Sequence, residues 1–372
     1  MGLLTVAAAT LVFSFAMYLI LIPCAVAAGL VDRPDARKKH KGEIPLVGGA
    51  GVFLSLFFIG MWVFPSNPVT VSLAASSLLM VKVGMLDDRY DLSVRLRMVV
   101  QVLAACVLVF GGGVQVETLG NLFGLGDVKL GWFAAPFTVV AIMTAMNAYN
   151  MIDGIDGLLG GLSLVTFFGI GVLAVMHNQA APLLIAIIMV AALMVFLMRN
   201  VGKHRWGLRK IFMGDAGSMF IGLLIVCLLA LMTVPDQLAS FGLLPRFFDF
   251  TSDPLPVRPV AVLWLIAIPL MDMFGIMTRR ILKKQSPFKP DRDHLHHIFM
   301  RAGFSSSETL GLLALAGFLL LWFGLLLEIF AVPEPLVALL YVAVFWAYTQ
   351  CLRHSWHIVS AVRSWRGIDR EE

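Results

Sequence analysis

The first side chains in this sequence that could do chemistry are Asp87, Asp88 and Asp91, three carboxylates within five residues. Like charges this close repel one another unless they share a cation or a proton. On a helix Asp91 would lie about one turn from the other two, and Mg²⁺ takes one or two carboxylates together with substrate phosphate oxygens. The run therefore predicts a catalytic and metal-binding group, with a solvated helix end as the alternative.

A second group recurs at every third residue and consists of Asn147, Asn150, Asp153 and Asp156. Amide and carboxylate side chains can hydrogen-bond the edges of a base and a ribose, and the glycines between them allow a ligand close to the backbone. We therefore expect a nucleotide-binding segment, although a capped loop between two helices would explain one or two of these residues.

The third group is Phe212-Met-Gly-Asp215-Ala-Gly-Ser, at the predicted start of an apolar helix. A carboxylate between glycines at a helix N-terminus is either an N-cap or a metal ligand. Asp215 is accordingly a candidate metal ligand.

Three of the eight histidines, His294, His296 and His297, fall within four residues, between Arg292 and Arg301. Imidazole N–H donors beside arginines suit a diphosphate. A zinc site is the alternative, but no cysteine or HExxH pattern joins the cluster.

A basic segment near the N-terminus contains Asp32, Arg37, Lys38 and His40 and leads into a Gly-Gly helix start. It is a candidate contact for a lipid phosphate or headgroup, with a stop-transfer charge cluster as the alternative. Lys82, one turn or so before Asp87, could extend towards the membrane surface and neutralise a substrate phosphate. A purely structural lysine is the alternative at that position.

The elements that must position these groups are membrane helices. The chain has 372 residues, 59% hydrophobic and 14% charged, with a mean hydropathy of +0.89. Soluble domains carry about 25% charged residues, so we predict an all-α polytopic membrane protein: one integral-membrane domain over 1–352 and a basic cytoplasmic tail over 353–372. The expected spans are 3–28, 46–64, 68–86, 98–112, 133–150, 158–176, 181–198, 212–234, 259–278, 309–331 and 336–352, the ninth broken near its cytoplasmic end.

The distribution of lysine and arginine predicts the orientation of these eleven spans, because cytoplasmic loops carry an excess of positive charge. With the N-terminus in the periplasm and the C-terminus in the cytoplasm, 24 of the 28 lysines and arginines fall on the inner side. The outer segment 113–132 alternates weakly around a glycine-rich centre, which predicts a small periplasmic β-hairpin.

In this orientation all five groups lie at inner ends of spans or in inner loops, so a single cytoplasmic site can gather them. An ion-coupled transporter, the alternative from another class, would place ionisable groups near the membrane midplane. Only Lys82 approaches that depth.

The joint set of motifs resembles that of the polyprenyl-phosphate N-acetylhexosamine-1-phosphate transferases. The resemblance runs from about residue 32 to 304 and is carried by Asp87-Asp88-Arg-Tyr-Asp91, by the segments 150–158 and 212–218, and by His294-Leu-His296-His297. Segments 41–49 and 290–304 are most similar to the members that use UDP-GlcNAc, and they differ from the related muramyl-pentapeptide transferases.

The resemblance implies transfer of GlcNAc-1-phosphate from UDP-GlcNAc to undecaprenyl phosphate at the cytoplasmic face of the bacterial inner membrane, the first membrane step of O-antigen or enterobacterial common antigen synthesis. It implies Mg²⁺ or Mn²⁺ as cofactor and UMP as leaving group. Another UDP-N-acetylhexosamine stays open as donor, and so does a homodimer. Membrane lipid is an expected partner and nucleic acid is not.

The resemblance also implies roles for the site residues. Asp87 and Asp88 would bind the lipid phosphate and the metal, and Asp215 would bind the metal. The nucleotide would be bound by Asn150, Asp153, Asp156 and Phe212, and the diphosphate by His294, His296 and His297.

Overall fold

The computed structural model describes residues 2–33, 42–201, 208–234, 236–238, 253–286 and 294–367, and most of them are helical. The prediction of an all-α polytopic membrane protein is confirmed. The helices are α1 (Leu3–Ala28), α2 (Gly48–Val63), α3 (Pro68–Tyr90), α4 (Val94–Cys106), α5 (Ala134–Ile152), α6 (Leu158–Met176), α7 (Ala180–Asn200), α8 (Gly214–Thr233), α9 (Pro259–Leu265), α10 (Ala267–Leu282), α11 (Leu295–Arg301), α12 (Ser306–Ile329), α13 (Glu334–Arg353) and α14 (Ser355–Trp365).

Among the described residues, nine helical segments are long and apolar enough to cross a membrane. The bent pair α9–α10 makes a tenth if it is one span, and α2 is apolar but shorter, with 16 residues, so the eleven predicted spans stay a prediction. The fourth span runs over 94–111, because a wider π-helical turn at Val107–Gly111 continues α4. It begins four residues earlier than the sequence predicts, where Ser93 caps the amide of Leu96.

The ninth span is broken, but the predicted position of the break was wrong. The two helices meet at Ile266 at an angle of 84°, near the beginning of the span instead of its cytoplasmic end. Pro269 lacks the N–H that would bond the Leu265 carbonyl inside a continuous helix. The Thr166 hydroxyl donates to that carbonyl at 3.0 Å, so the break leaves no buried acceptor unpaired.

Helix α8 is the centre of the bundle, and its membrane-spanning window is entirely buried. Helices α3 and α5 pack closely against it at glycines. A Cβ on Gly84 would overlap the backbone of Ala216, and a Cβ on Gly222 would collide with the backbone of α5 near Met146. Small residues let membrane helices approach to backbone contact, and here the contact holds the end of α3 against the beginning of α8.

Two short strands, β1 (Val31–Asp32) and β2 (Ile44–Pro45), pair antiparallel just before α2. The end of β2 and the beginning of α2 then bond the segment that leads into α8. The Phe212 amide donates to the Pro45 carbonyl at 2.9 Å, and the Gly48 amide donates to the Phe212 carbonyl at 2.8 Å. These bonds fix the beginning of α8 beside the beginning of α2.

The hairpin expected in the outer segment is not a regular one. Residues 113–132, all described, contain one isolated antiparallel bridge, Thr118 to Lys129, and no strand. Gly120, Gly124 and Gly126 all have positive φ, so the glycine-rich centre turns the chain repeatedly and prevents a longer ladder. The first half of the predicted tail forms α14.

Candidate functional site

The centre of the site is an arginine between two carboxylates. Arg97, on α4, donates from one Nη1 to Asp87 Oδ2 at 2.6 Å and to Asp215 Oδ2 at 3.0 Å. Asp87 is buried at the end of α3, and its other oxygen accepts the Leu92 amide at 2.8 Å. The last turn of α3 and the first turn of α8 therefore present their carboxylates to one cation.

Asp88 lies beside this pair and differs from Asp87 in one respect. Its Oδ1 accepts the Asp215 amide at 3.0 Å, whereas its Oδ2 is buried with no hydrogen-bond partner. Gly214 has φ +73° and a Cβ there would collide with Asp88 Oδ2. The Met-Gly-Asp sequence is thus required at this point, because only glycine allows the carboxylate so close to the backbone.

The two predicted asparagines have different roles. Asn150 Nδ2 donates to Asp215 Oδ1 at 2.8 Å and to Ser218 Oγ at 2.9 Å, so Asn150 belongs to the central cluster. Asn147, one turn earlier, donates to Gln101 Oε1 at 2.9 Å and to the Met143 carbonyl at 2.7 Å. Its amide hydrogens are used within the protein, which fits a helix-packing role better than nucleotide binding.

The segment after α5 brings the nucleotide and histidine motifs together. Asp153 follows the last turn of α5, and the buried His296 ring packs directly on Gly154, where a Cβ would overlap it. Neither ring nitrogen of His296 has a hydrogen-bond partner, and burial, then the neighbouring His297, lowers the pKa of His296 to about 3. His296 is therefore a neutral imidazole at physiological pH.

Crowding by protein atoms and the negative charges of Asp215, Asp88 and Asp156 raise the pKa of the Asp153 carboxyl. Asp153 is exposed and directly precedes Gly154, on which His296 packs.

A carboxylate in the middle of an apolar helix holds the histidine segment. Asp272, on α10 and 1% exposed, accepts from the Leu295 amide at 3.0 Å and the Tyr348 hydroxyl at 2.9 Å, and its other oxygen pairs with His294 Nδ1 at 2.8 Å. His294 then stacks on His296 with the ring planes 7° apart. Helices α10 and α13 thus determine where the histidines lie.

At the other side of the loop, Asp156 forms an ion pair with Lys210, whose ammonium lies 5.1 Å from the centre of the Phe212 ring. The buried Asn200 joins the two segments, because its Oδ1 accepts the Gly157 amide at 2.6 Å and its Nδ2 donates to the Ile211 carbonyl at 2.9 Å. A flat ring can stack on a base, and the cation and carboxylate beside it can hydrogen-bond the edge of that base.

The remaining predicted residues lie away from this centre or outside the described residues. Asp91 caps α3 in a left-handed conformation and is exposed. Lys82 is exposed on the side of α3 opposite to Gly84 and Asp88, so the structure does not bring it to the carboxylates. Arg301 lies 5.6 Å from the ring of Trp356, on α14. Asp32 is buried in β1, while Arg37, Lys38 and His40 are not among the described residues.

The central cluster fits the divalent cation that the motifs imply. Mg²⁺ and Mn²⁺ take oxygen ligands, few of them from the protein, and the unpartnered Asp88 Oδ2 is such an oxygen next to the Asp215 carboxylate. No group of three or more histidine, cysteine or acidic side chains in the described part of the chain is arranged as a metal cage. A cation here would complete its shell with substrate phosphates, and Asp88 and Asp215 would hold it.

Comparison with known proteins agrees with this arrangement. The profile of glycosyl transferase family 4 matches residues 70–233, from α3 to the end of α8. The chain is 38% identical, over 95% of its length, to the undecaprenyl-phosphate alpha-N-acetylglucosaminyl 1-phosphate transferase of Yersinia pestis, of which the match covers 92%.

Proteins of the same name give similar values. The one from Escherichia coli K12 is 38% identical over 90% of this chain and 87% of its own length, and the one from Haemophilus influenzae is 35% identical over 95% of each. The chain therefore belongs to glycosyl transferase family 4, and the resemblance inferred from the four motifs is confirmed.

Sequence reasoning missed five residues of the site: Arg97, Asn200, Lys210, Asp272 and Tyr348. Asp272 had the clearest signal, since a lone carboxylate inside an apolar helix is costly and usually has a partner. Arg97 is one of three arginines within nine residues after Asp88, and nothing local distinguishes it from the other two.

Proposed function

We propose that this protein transfers GlcNAc-1-phosphate from UDP-GlcNAc to undecaprenyl phosphate, releasing UMP and leaving undecaprenyl-diphosphate-GlcNAc. The observation that carries the proposal is the convergence of Asp87, Asp88, Asn150 and Asp215 around Arg97. Relatives 38% identical over nearly the whole chain carry the name of this activity.

The physical obstacle in this reaction is that two anions must meet. An oxygen of the lipid phosphate attacks the β-phosphorus of the UDP-sugar, the bond from that phosphorus to the bridging oxygen breaks, and UMP leaves with the electron pair. A bound Mg²⁺ or Mn²⁺ would polarise the phosphoryl oxygens and stabilise charge on the leaving group. Arg97 adds a fixed positive charge at the same place.

We propose different roles for the two neighbouring carboxylates, supported by their hydrogen bonds. Both oxygens of Asp87 are engaged, one by Arg97 and one by the Leu92 amide. Both oxygens of Asp215 also accept hydrogen bonds, but its side chain is 31% exposed against 4% for Asp87. We therefore assign the positioning of Arg97 to Asp87 and keep Asp215 as the candidate cation ligand. Asp88 has a free oxygen, which makes Asp88 the better candidate for binding the cation or accepting a proton from the lipid phosphate. Direct attack by the phosphate needs no covalent aspartyl intermediate.

The opposite end of the site would hold the nucleotide. Phe212 provides a ring for stacking on uracil, while Asp156 and Lys210 provide an acceptor and a donor beside it. We assign His296 to the diphosphate between the nucleotide and the metal, and this assignment is supported by its two unpartnered ring nitrogens and its packing on Gly154. As a neutral imidazole it would donate one hydrogen bond and add no charge.

The site would lie on the cytoplasmic face of the bacterial inner membrane, where the nucleotide sugar is available. This placement rests on the charge distribution of the sequence, and the lipid product would enter O-antigen or enterobacterial common antigen synthesis.

The proposal is tested in membranes that contain only this transferase. With radiolabelled UDP-GlcNAc, undecaprenyl phosphate and Mg²⁺, we expect a labelled lipid that excess UMP converts back to UDP-GlcNAc. Asp88→Asn and Asp215→Asn should reduce its formation by ~10²-fold or more, since each removes a cation ligand. Asp127→Asn, in the outer segment, is the matched control and should remain active.

A labelled lipid formed from another UDP-N-acetylhexosamine, with none from UDP-GlcNAc, would change the proposed donor. Wild-type turnover in both aspartate variants would remove the central cluster from the mechanism.

A further inference from the structure

The helix α14 has a position that the transferase activity does not explain. The membrane-spanning helix α13 ends at Arg353 and α14 begins at Ser355, with only His354 between them. Consecutive Cα atoms are about 3.8 Å apart, so the first turn of α14 lies within a few ångströms of the point where the chain leaves the bilayer.

Contacts at both ends keep α14 at that level. At its beginning, Trp356 lies under the Arg301 guanidinium, 5.6 Å from ring centre to carbon. Just past its end, Arg366 pairs with Glu308 at 3.1 Å, at the first turn of the membrane-spanning helix α12, and lies 4.6 Å from the Phe304 ring. The helix therefore runs along the membrane surface from the end of one span to the beginning of another.

The three sides of α14 differ in exposure. Ser355 and Val359 are buried against the protein. At about 100° per residue, Ala361 and Trp365 form a second, apolar side, and Trp365 is 85% exposed. Trp356, 64% exposed, lies on the opposite flank of the helix, against Arg301. His357 and Ser364 form a third side, which is polar and also exposed. A helix lying in the boundary layer of a membrane has this division.

The charge of this segment matches an acidic surface. Residues 353–367 contain three arginines and two histidines and no aspartate or glutamate. Besides Arg366, which pairs with Glu308, the segment contains Arg353 and Arg363, and arginine near a leaflet with anionic headgroups gains about 1 kcal/mol per residue. Exposed tryptophan favours the level of the headgroups.

We propose that α14 binds the headgroup layer of the membrane face on which the candidate site lies, with Trp365 inserted at the boundary and acidic phospholipids as its partners. Through Arg301 the helix also holds α11, which carries His296 and His297. The Arg363 side chain adds to this connection, because its Nη1 donates to the Arg301 carbonyl at 3.5 Å. The effect on α11 rests on the proposed function, whereas the binding to lipid does not.

The lipid contact is tested with spin labels at two neighbouring positions. In a background without Cys24, Cys106, Cys227 and Cys351, Trp365→Cys and Ser364→Cys are labelled and reconstituted in phosphatidylcholine nanodiscs with or without phosphatidylglycerol. We expect the label at 365 to be relaxed by oxygen dissolved in the bilayer and the label at 364 by an aqueous nickel chelate. Phosphatidylglycerol should increase the difference.

Equal access of the chelate to both labels would overturn the proposal, and so would a label at 365 that neither reagent reaches. Neither readout depends on catalysis, so the contact can be decided even if the protein transfers a different sugar.

The connection to α11 is tested by kinetics in the acidic nanodiscs. Trp365→Glu should raise the KM for the UDP-sugar several-fold, because a carboxylate repels the headgroups and lifts α14. Ser364→Glu adds the same charge on the polar side and should leave KM unchanged. Trp365→Tyr keeps an aromatic ring at the boundary and should have the wild-type KM. Identical KM values for the two glutamate variants would overturn the positioning role.

Discussion

Arg97 shows most clearly what the sequence could and could not reveal at the scale of single residues. The carboxylates were predictable because their spacing is unusual, and the structure gathers Asp87, Asp88 and Asp215 as expected. Arg97 was not, since its contact with Asp215 joins positions 118 residues apart and the neighbouring Arg95 looks equivalent in the sequence. Which of the two points into the site depends on how α4 packs against α3 and α8.

Replacing Arg97 should therefore be far more harmful than replacing Arg95. Arg97→Ala leaves Asp87 and Asp215 without their shared cation, and we expect kcat to fall by ~10²-fold, as when a transition-state stabiliser is lost. Arg95→Ala removes an exposed arginine and should keep wild-type kcat. Measured at saturating substrate and Mg²⁺, equal kcat values for the two variants would contradict the central role of Arg97.

His296 predicts a dependence of stability on pH. Its pKa falls from the usual 6.5 to about 3 in the folded protein, so between those values the unfolded state binds more protons. The stabilisation is full above about pH 6.5 and is lost as the pH falls. We expect the temperature of half-inactivation in detergent to drop from pH 7 to pH 5, and His296→Gln to lose less than the wild type.

The control for this prediction is His357→Gln, which changes an exposed histidine on α14. It should reproduce the wild-type pH dependence. If acidification lowers the temperature of half-inactivation by the same amount in His296→Gln and in the wild type, the histidine is not buried in its neutral form.

At the scale of elements, several helix boundaries followed from the ends of the apolar runs. Helix α6 and the beginnings of α1, α3 and α9 lie where the sequence predicts them. The break in the ninth span was misplaced, since its position depends on Pro269 and on the Thr166 hydroxyl, which comes from a different helix. The sequence also gave no indication that Gly84 is a backbone contact between α3 and α8.

Gly84→Ala should separate these two helices. The new methyl group would overlap Ala216, and overpacking of this kind costs about 1–3 kcal/mol. Because the contact lies one turn from Asp88, we expect both thermal stability and transfer activity to fall. Gly60→Ala has room for its methyl group, with the nearest atom of Phe64 at 3.8 Å. It should match or slightly exceed wild-type stability, and equal behaviour of the two variants would contradict the close packing.

At the scale of the whole molecule, the composition was enough to predict a polytopic helical protein, and the partition of positive charge predicted one site at one end of the bundle. The structure brings the carboxylates, the asparagine and the histidines to the same end. The sequence could not reveal which helices meet at the centre, because helices that are apolar all round carry no pattern that identifies their neighbours.

The predicted orientation is tested with single cysteines in a background without native cysteines. Leu125→Cys, in the outer segment and 93% exposed in the wild type, should react with an impermeant thiol reagent in intact spheroplasts. Ser286→Cys, beyond the end of α10, should react only after lysis. Labelling of position 286 from outside would place the site in the periplasm and contradict the proposed use of a cytoplasmic nucleotide sugar.

The most direct test of the central claim is to follow the β-phosphate and the sugar together. The purified protein is supplied with undecaprenyl phosphate and with UDP-GlcNAc that carries ³²P in the β-phosphate and ¹⁴C in the sugar. If GlcNAc-1-phosphate is transferred, the lipid product must contain both labels in the ratio of the donor, and UMP must be released in equal amount. A lipid that carries ¹⁴C without ³²P, together with release of UDP, would contradict the account, because the protein would then transfer the sugar alone.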